Sequence, residues 1–272
     1  MSVDTQLRSL EIAIPTTPDV LVKLSLLLAE EDMNQRAVTA LVESDMAMAA
    51  AVLRAVNSSL YGLSGRVQSV QQALTYLGTR EVMGITFELG LRAAFPPAAE
   101  LEPIWQRAAQ RGLLMGRLAS ALGLDAWSAH SAGLFEECGK AVLFRHAPDH
   151  YRAMLRAAAT DADLCDYERV GFGVCHDALG AALCDSWGLD PAAVASVRHH
   201  VTAQGLLELP VPPVRRSVLA LSVMVQSLMS LPASLEDVVA QIAPQADLDT
   251  TLALRAARRI GEQMAEAQAR GR

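Results

Sequence analysis

Apolar residues in this 272-residue chain return at intervals of three and four and show no sustained alternation. Val20, Leu21, Leu24, Leu27 and Leu28 fall on one face of a 3.6-residue turn, and no segment reads convincingly as a strand. Aromatic residues make up 4% of a chain that is 51% hydrophobic, so Leu, Ala, Val and Met must fill the core. Those residues favour helix-on-helix layers over a β-sandwich. The expected fold class is all-α.

The punctuation agrees. Thr17 and Pro18 read as an N-cap and first-turn proline opening "DVLVKLSLLLAEE". Asn34 caps a short helix through Val42, and Asp45 caps "MAMAAAVLRAVNSSL". Tyr61 to Gly65 is a turn, and Ser69 with Gln72 predicts a capping box for a helix ending at Gly78. Thr79 starts a further helix towards Phe95, and Pro96-Pro97 marks a boundary. Helices are then expected from about Pro103 to Leu122, through "AGLFEECG", around "HAPDHYRAMLRAAA", from about Cys175 to Trp187, and from Pro191. Pro210, Pro212 and Pro213 mark a second break, followed by two helices separated by "LPASLEDVV".

A net charge of −7 argues against a general nucleic-acid binder, which needs a basic face. "MSVDTQLRSLEIAIP" lacks the apolar run of a signal peptide. The uncharged stretch Ser217 to Leu235 holds Gln226, several serines and Pro232, and reads as a buried helix rather than a membrane span. Cys138, Cys165, Cys175 and Cys184 show no C-x-x-C spacing, so neither a zinc knuckle nor a disulfide framework is indicated. A reduced, cytoplasmic protein that keeps away from membranes is the expectation.

Several residues could carry chemistry. Glu136-Glu137, in "AGLFEECGK", would point about 100° apart on a helix, so the pair reads first as a solvated or lysine-paired helix end, with Gly139 closing or tightly packing it and Lys140 facing the negative dipole end. His146 and His150 have metal-like i, i+4 spacing, but Pro148 between them favours two surface histidines at a helix start. His176-Asp177 reads as the polar face of a core helix, and His199-His200 as a helix end. Arg107, Arg111 and Arg117, Arg152 with Arg156, Arg215-Arg216, and Arg255 with Arg258 and Arg259 suggest solvated faces. No phosphate-cradling glycine loop or serine-nucleophile elbow occurs.

The motifs "VLRAVNSSLYG" (Val52 to Gly62) and "VQSVQQALTYLG" (Val67 to Gly78), with Ile14-Pro15, Asp45, Trp105, "AGLFEECGK", "CHDALGAALCDSWGLD" (Cys175 to Asp190) and "VRHHV" (Val197 to Val201), resemble the HD-related output domain (HDOD) family. The resemblance implies an HD-domain-like helical bundle preceded by an N-terminal helical layer, used in bacteria for signalling rather than hydrolysis. It divides the chain into an N-terminal segment, 1–13, the family domain, 14–229, and C-terminal helices, 230–272. The family domain comprises an N-terminal layer, 14–95, and an HD-like part, 96–229.

In metal-dependent relatives and many family members a His-Asp doublet stands where this chain has Glu136 and Glu137. An earlier histidine ligand matches Arg107, and the late helix that would supply a carboxylate, Val211 to Leu235, has no Asp or Glu. His176 matches a position where the family often keeps a histidine. A pairing of Glu136 or Glu137 with Arg107 is expected in place of a metal.

The resemblance therefore implies a non-catalytic regulatory module with no cofactor and no metal, and with a signalling protein as partner, its surface offered by Pro18 to Phe95. A small molecule or nucleotide is the alternative ligand, at a degenerate cleft of Arg107, Glu136, Glu137, Lys140, His176, His199 and His200. The rival expectation is a divergent phosphohydrolase acting on nucleotides or cyclic dinucleotides through Glu136, Glu137, His176 and His146 or His150. A regulator that binds nucleic acid through a local basic face is a third, disfavoured by the charge.

Overall fold

The structure, a computed structural model, describes residues 11–28, 34–63 and 65–270, without the side chains of 268 and 270. The ends of the expected first helix (Ala29 to Glu31), Ser64 of the expected turn and most of the 1–13 segment lie outside the described residues. Among the described residues there are only helices, turns and loops. The fold is all-α. Among the described residues two compact units form, 16–94 with 258–270 and 95–257 with 11–15.

The first unit holds α1 (Asp19–Leu28), α2 (Gln35–Glu43), α3 (Met46–Val56), α4 (Val70–Leu77) and α5 (Thr79–Ala93). Three of them, α2, α3 and α4, begin where short polar side chains satisfy free N–H groups. Asn34 accepts from the Arg36 amide, and Asp45 from Ala47 and Met48. Ser69 accepts from Gln72 as expected, but the Gln72 side chain reaches back to the Gln68 amide, one residue before the cap. α5 packs on all four other helices and carries the fully buried Val82, Met83, Ile85 and Leu91. Gly90 lets α1 lie close against it: a Cβ there would stand 2.5 Å from Leu21 Cδ2.

The "AVNSSLYG" motif has a structural job. The Asn57 amide donates to the Val67 carbonyl at 2.8 Å and accepts from the Val67 N–H at 3.1 Å. One side chain thus closes the loop between α3 and α4 as a strand neighbour would.

The second unit holds α6 (Glu102–Ala121), α7 (Ala126–Phe135), α8 (Cys138–His146), α9 (Pro148–Ala157), α10 (Asp161–Phe172), α11 (His176–Ser186), α12 (Pro191–Leu206), α13 (Arg216–Ser230) and α14 (Leu235–Ile242). α15 (Thr250–Arg270) ends the described chain. The expected pair of helices after Pro213 is three, because "SLEDVV" starts α14 rather than joining its neighbours. α13 is the uncharged stretch, and it is buried from Val218 through Val225. Pro15 belongs here: its carbonyl accepts from the Trp187 indole N–H at 2.9 Å, and that ring stands edge-on to Phe135.

Three corrections position the site. "AGLFEECG" is not one helix, since α7 ends at Phe135 and α8 starts at Cys138, leaving Glu136-Glu137 on the turn between them. Asp161–Phe172, unforeseen, is a full helix; Thr160 and Asp163 cap it reciprocally. His199 and His200 lie inside α12, which runs on to Leu206.

Candidate functional site

Close helix crossings bring the site together. A Cβ on Gly133 of α7 would fall 2.8 Å from the Gly112 Cα of α6, so these helices meet backbone to backbone. That contact carries Arg111, next to Gly112, onto the Glu136-Glu137 turn. Gly139 does the same for α8 and α11, where its Cβ would stand 1.9 Å from the His176 carbonyl oxygen. Gly139 is thus a packing residue in the first turn of α8, not a helix terminator.

The glutamate pair is not solvated, but it does lie at helix ends, between α7 and α8, and the expected lysine pairing is present at Glu137. Glu136 is 0% and Glu137 2% exposed. Arg111, expected on a solvated face, is 3% exposed. Its Nη1 stands 3.0 Å from Glu136 Oε2 and its Nη2 3.7 Å from Glu137 Oε1. Nη2 also donates to Gln226 Oε1 at 2.6 Å. Gln226 is the one long polar side chain of α13 between Val218 and Ser230.

The expected Arg107–Glu137 contact is present at 3.0 Å. Lys140 Nζ bridges Glu137 Oε2 at 2.8 Å and Asp161 Oδ1 at 2.7 Å. Three cations, Arg107, Arg111 and Lys140, therefore interleave with three carboxylates, Glu136, Glu137 and Asp161. The reason is desolvation: a buried carboxylate persists as an ion only beside a partner charge.

Burial alone would raise the Glu137 pKa, but Lys140, Arg107 and Arg111 outweigh it and hold the carboxyl well below its ordinary value. Burial would likewise depress Lys140, yet Glu137 and Asp161 keep its pKa above the usual lysine value. For Asp161 burial pulls upward and Lys140 wins downward. A cleft of about 570 Å³ opens over this network, with Arg107, Arg111, Glu137, Lys140, Asp161 and Gln226 among its walls.

Behind Asp161 lies a second set of polar groups. His176 is fully buried, and its Nδ1 meets Glu168 Oε2 at 2.8 Å. The same carboxylate accepts the His176 backbone N–H at 2.7 Å, and the Tyr151 hydroxyl donates to Glu168 Oε1 at 2.5 Å. His176 Nε2 has no partner. The His200 ring is 5.6 Å from the His176 ring, with Nδ1 on the Val197 carbonyl at 2.7 Å. Burial drives the His200 pKa below the ordinary imidazole value, against the pull of Glu136. One donor atom from each of Asp161, His176 and His200 lies within 4.8 Å of the others.

Arg107, Glu136, Glu137 and Lys140 thus meet at one point, and His176 with His200 at another joined to it through Asp161. His199 joins neither; it is half-buried beside Arg198 and Asp177. His146 ends α8 and His150 lies in α9, so the i, i+4 pair never shares a helix. Arg152 is partly buried and bridges Glu100 and Asp149, and Arg216 caps the Val211 and Gln245 carbonyls.

Sequence reasoning missed Asp161, Glu168 and Gln204, whose amide donates to Glu136 Oε2 at 3.2 Å. The first two ride on α10, which the Thr160-x-x-Asp163 spacing could have revealed. Cys165 and Cys175, ten residues apart, are also neighbours here: with Asp177 they place one donor atom each within 4.8 Å.

A family model for the HDOD domain matches residues 14–203. An uncharacterized protein of Treponema pallidum (strain Nichols) is 25% identical over 192 residues, covering 69% of this chain and 37% of that protein. Among solved structures, a proposed signal transduction protein of Marinobacter aquaeolei VT8 superposes with a TM-score of 0.69 at 24% identity, over 94% of this chain and 58% of that one. An HDOD domain protein of unknown function from Geobacter sulfurreducens gives 0.69 at 18% identity, over 98% and 92%. A proposed phosphohydrolase of Shewanella amazonensis SB2B gives 0.67 at 21%, over 98% and 97%. This chain spans about a third of the Treponema protein and well over half of the Marinobacter one.

Proposed function

The chain belongs to the HDOD family, and on that premise we propose a non-catalytic signal-transduction module that binds a partner protein or a small ligand. One observation carries the reading: Arg111 and Lys140 are lodged among Glu136, Glu137 and Asp161. A hydrolytic centre of the related enzymes must gather His and carboxylate donors around an ion and acidify its water. At the doublet turn the donors do not fit that task, because each carboxylate already faces a fixed cation. A guanidinium cannot give up its proton to make room.

The cleft itself favours a binding role. Arg111, which lines the cleft, keeps its Nε buried without a partner, and an orphaned polar atom at a concavity suits a small polar ligand or ordered water. The name of the Marinobacter neighbour points to signalling as well.

A second reading, a metal-dependent phosphohydrolase acting on nucleotides or cyclic dinucleotides, draws on Asp161, His176 and His200. Glu168 holds His176 Nδ1 as a carboxylate behind a ligating imidazole would, leaving Nε2 open.

Turnover separates the two. The full chain, supplied with Mn²⁺, Fe²⁺ or Mg²⁺, is expected to leave nucleotides, cyclic dinucleotides and a generic phosphoester intact. Hydrolysis that EDTA abolishes, metal restores and His200→Asn removes would overturn the signalling reading.

A further inference from the structure

Two of the four cysteines meet at the α10–α11 corner. Gly173, at φ 76°, turns the chain back after α10. Cys165 of α10 then faces Cys175, which caps α11 without any side-chain cap bond, and Asp177 stands two residues on. All three are buried, at 2%, 4% and 2% exposure. We propose that Cys165, Cys175 and Asp177 form a binding site for one thiophilic divalent cation, zinc, separate from the cleft over Glu136 and Glu137.

The spacing suits the ion. Zinc–sulfur bonds of about 2.3 Å set tetrahedral ligands roughly 3.8 Å apart, within the 4.8 Å that bounds this trio. The charges suit it too. Two thiolates, one carboxylate and Zn²⁺ leave a single net negative charge. Arg198 Nη1 already holds Asp177 Oδ2 at 2.8 Å, and Arg169 interacts electrostatically with Cys175.

The Asp161 cluster is poorer, since Lys140 occupies its carboxylate at 2.7 Å. The metal-free arrangement is a self-satisfied one in which the Cys175 thiol donates to Asp177 Oδ1 at 2.6 Å. Loading replaces two thiol protons with the ion, so binding tightens as pH rises. His176 Nδ1, 3.7 Å from Cys165 Sγ, stays with Glu168, which leaves the fourth position to water. Arg169 and Arg198, about half exposed, put the site one side chain from solvent.

The test uses the full chain, reduced and stripped with chelator, titrated with Zn²⁺ against a chromophoric competitor and separately with Co²⁺. One equivalent should bind, with a thiolate-to-cobalt charge-transfer band in the near ultraviolet. Cys165→Ser, Cys175→Ser and Asp177→Asn should each weaken binding about tenfold or more, while Cys138→Ser and Cys184→Ser should not. Asp177→Asn keeps both thiols, so it decides the matter if a cysteine variant fails to fold. Zinc retained by Cys175→Ser and Asp177→Asn, zinc lost only with His176→Asn, or cobalt without the sulfur band would overturn the proposal. So would a Cys165–Cys175 disulfide forming in air in a chain that takes up no zinc when reduced. Zinc bound here without phosphoester turnover leaves the signalling reading intact.

Discussion

The two units solve the problem of a helical core in opposite ways. Thr16–Ala94 packs Leu21, Leu24, Val38, Val42, Val52, Val56 and Leu91, and among its described polar side chains buries only Thr86 and Glu88. Phe95–Ala257 buries Arg111, Glu136, Glu137, Lys140, Glu168, His176, Asp177 and His200. Apolar burial is non-directional and tolerant of shape. A buried ionic network demands that every member keep its partner. The first unit keeps that tolerance; the second gives it up to hold charged groups in fixed places.

The largest expected effect breaks the comparison at its centre. Arg111→Ala strands Glu136, while Glu137 keeps Lys140 and Arg107, and should cost about 3–5 kcal/mol, against roughly 2–5 kcal/mol for the cavity left by Leu24→Ala. Urea unfolding at two pH values tells them apart. The Arg111→Ala deficit should shrink on acidification, because a stranded carboxylate can take up a proton. The Leu24→Ala deficit should stay constant, and equal pH behaviour would mean the ions are not energetically coupled.

A smaller effect comes from His200. Its folded-state pKa lies below the ordinary 6.5, so the unfolded chain binds a proton more readily. Its contribution to stability is complete above pH 6.5 and is lost as pH falls towards the folded value. His200→Gln should flatten the stability profile just below pH 6.5. Glu137, held below 4.5, adds loss with the same sign in the more acidic range. The smallest effect is the Arg107–Glu137 pair: Arg107 is 49% exposed, so a double-mutant cycle should return about 1 kcal/mol or less.

How far the sequence could be read follows the same division. Helices α2 to α5 were visible because Asn34, Asp45, Ser69 and Thr79 announce their starts and apolar spacing carries them on. The family likeness and the all-helical class were equally plain. In the second unit, Arg107 and Arg111 sit four residues apart on one face of α6, and nothing local says that only Arg111 goes under. That depends on Glu136, 25 positions away, and on glycines thin enough to admit it. His199-His200 reads from the sequence as a helix end, yet α12 continues to Leu206. Cys165 and Cys175 read as unrelated thiols because ten positions separate them, and only the corner between α10 and α11 brings their sulfurs together.

The Gly139 contact has a mechanical consequence. Where two main chains touch with no side chain between them, no rotamer can absorb a displacement, and close-packed matter transmits it whole. Lys140 and the glutamate turn lie at one end of that rigid joint, and His176 with its sulfur neighbours at the other. Anything that levers α8 sideways from the cleft must therefore carry the first turn of α11 with it.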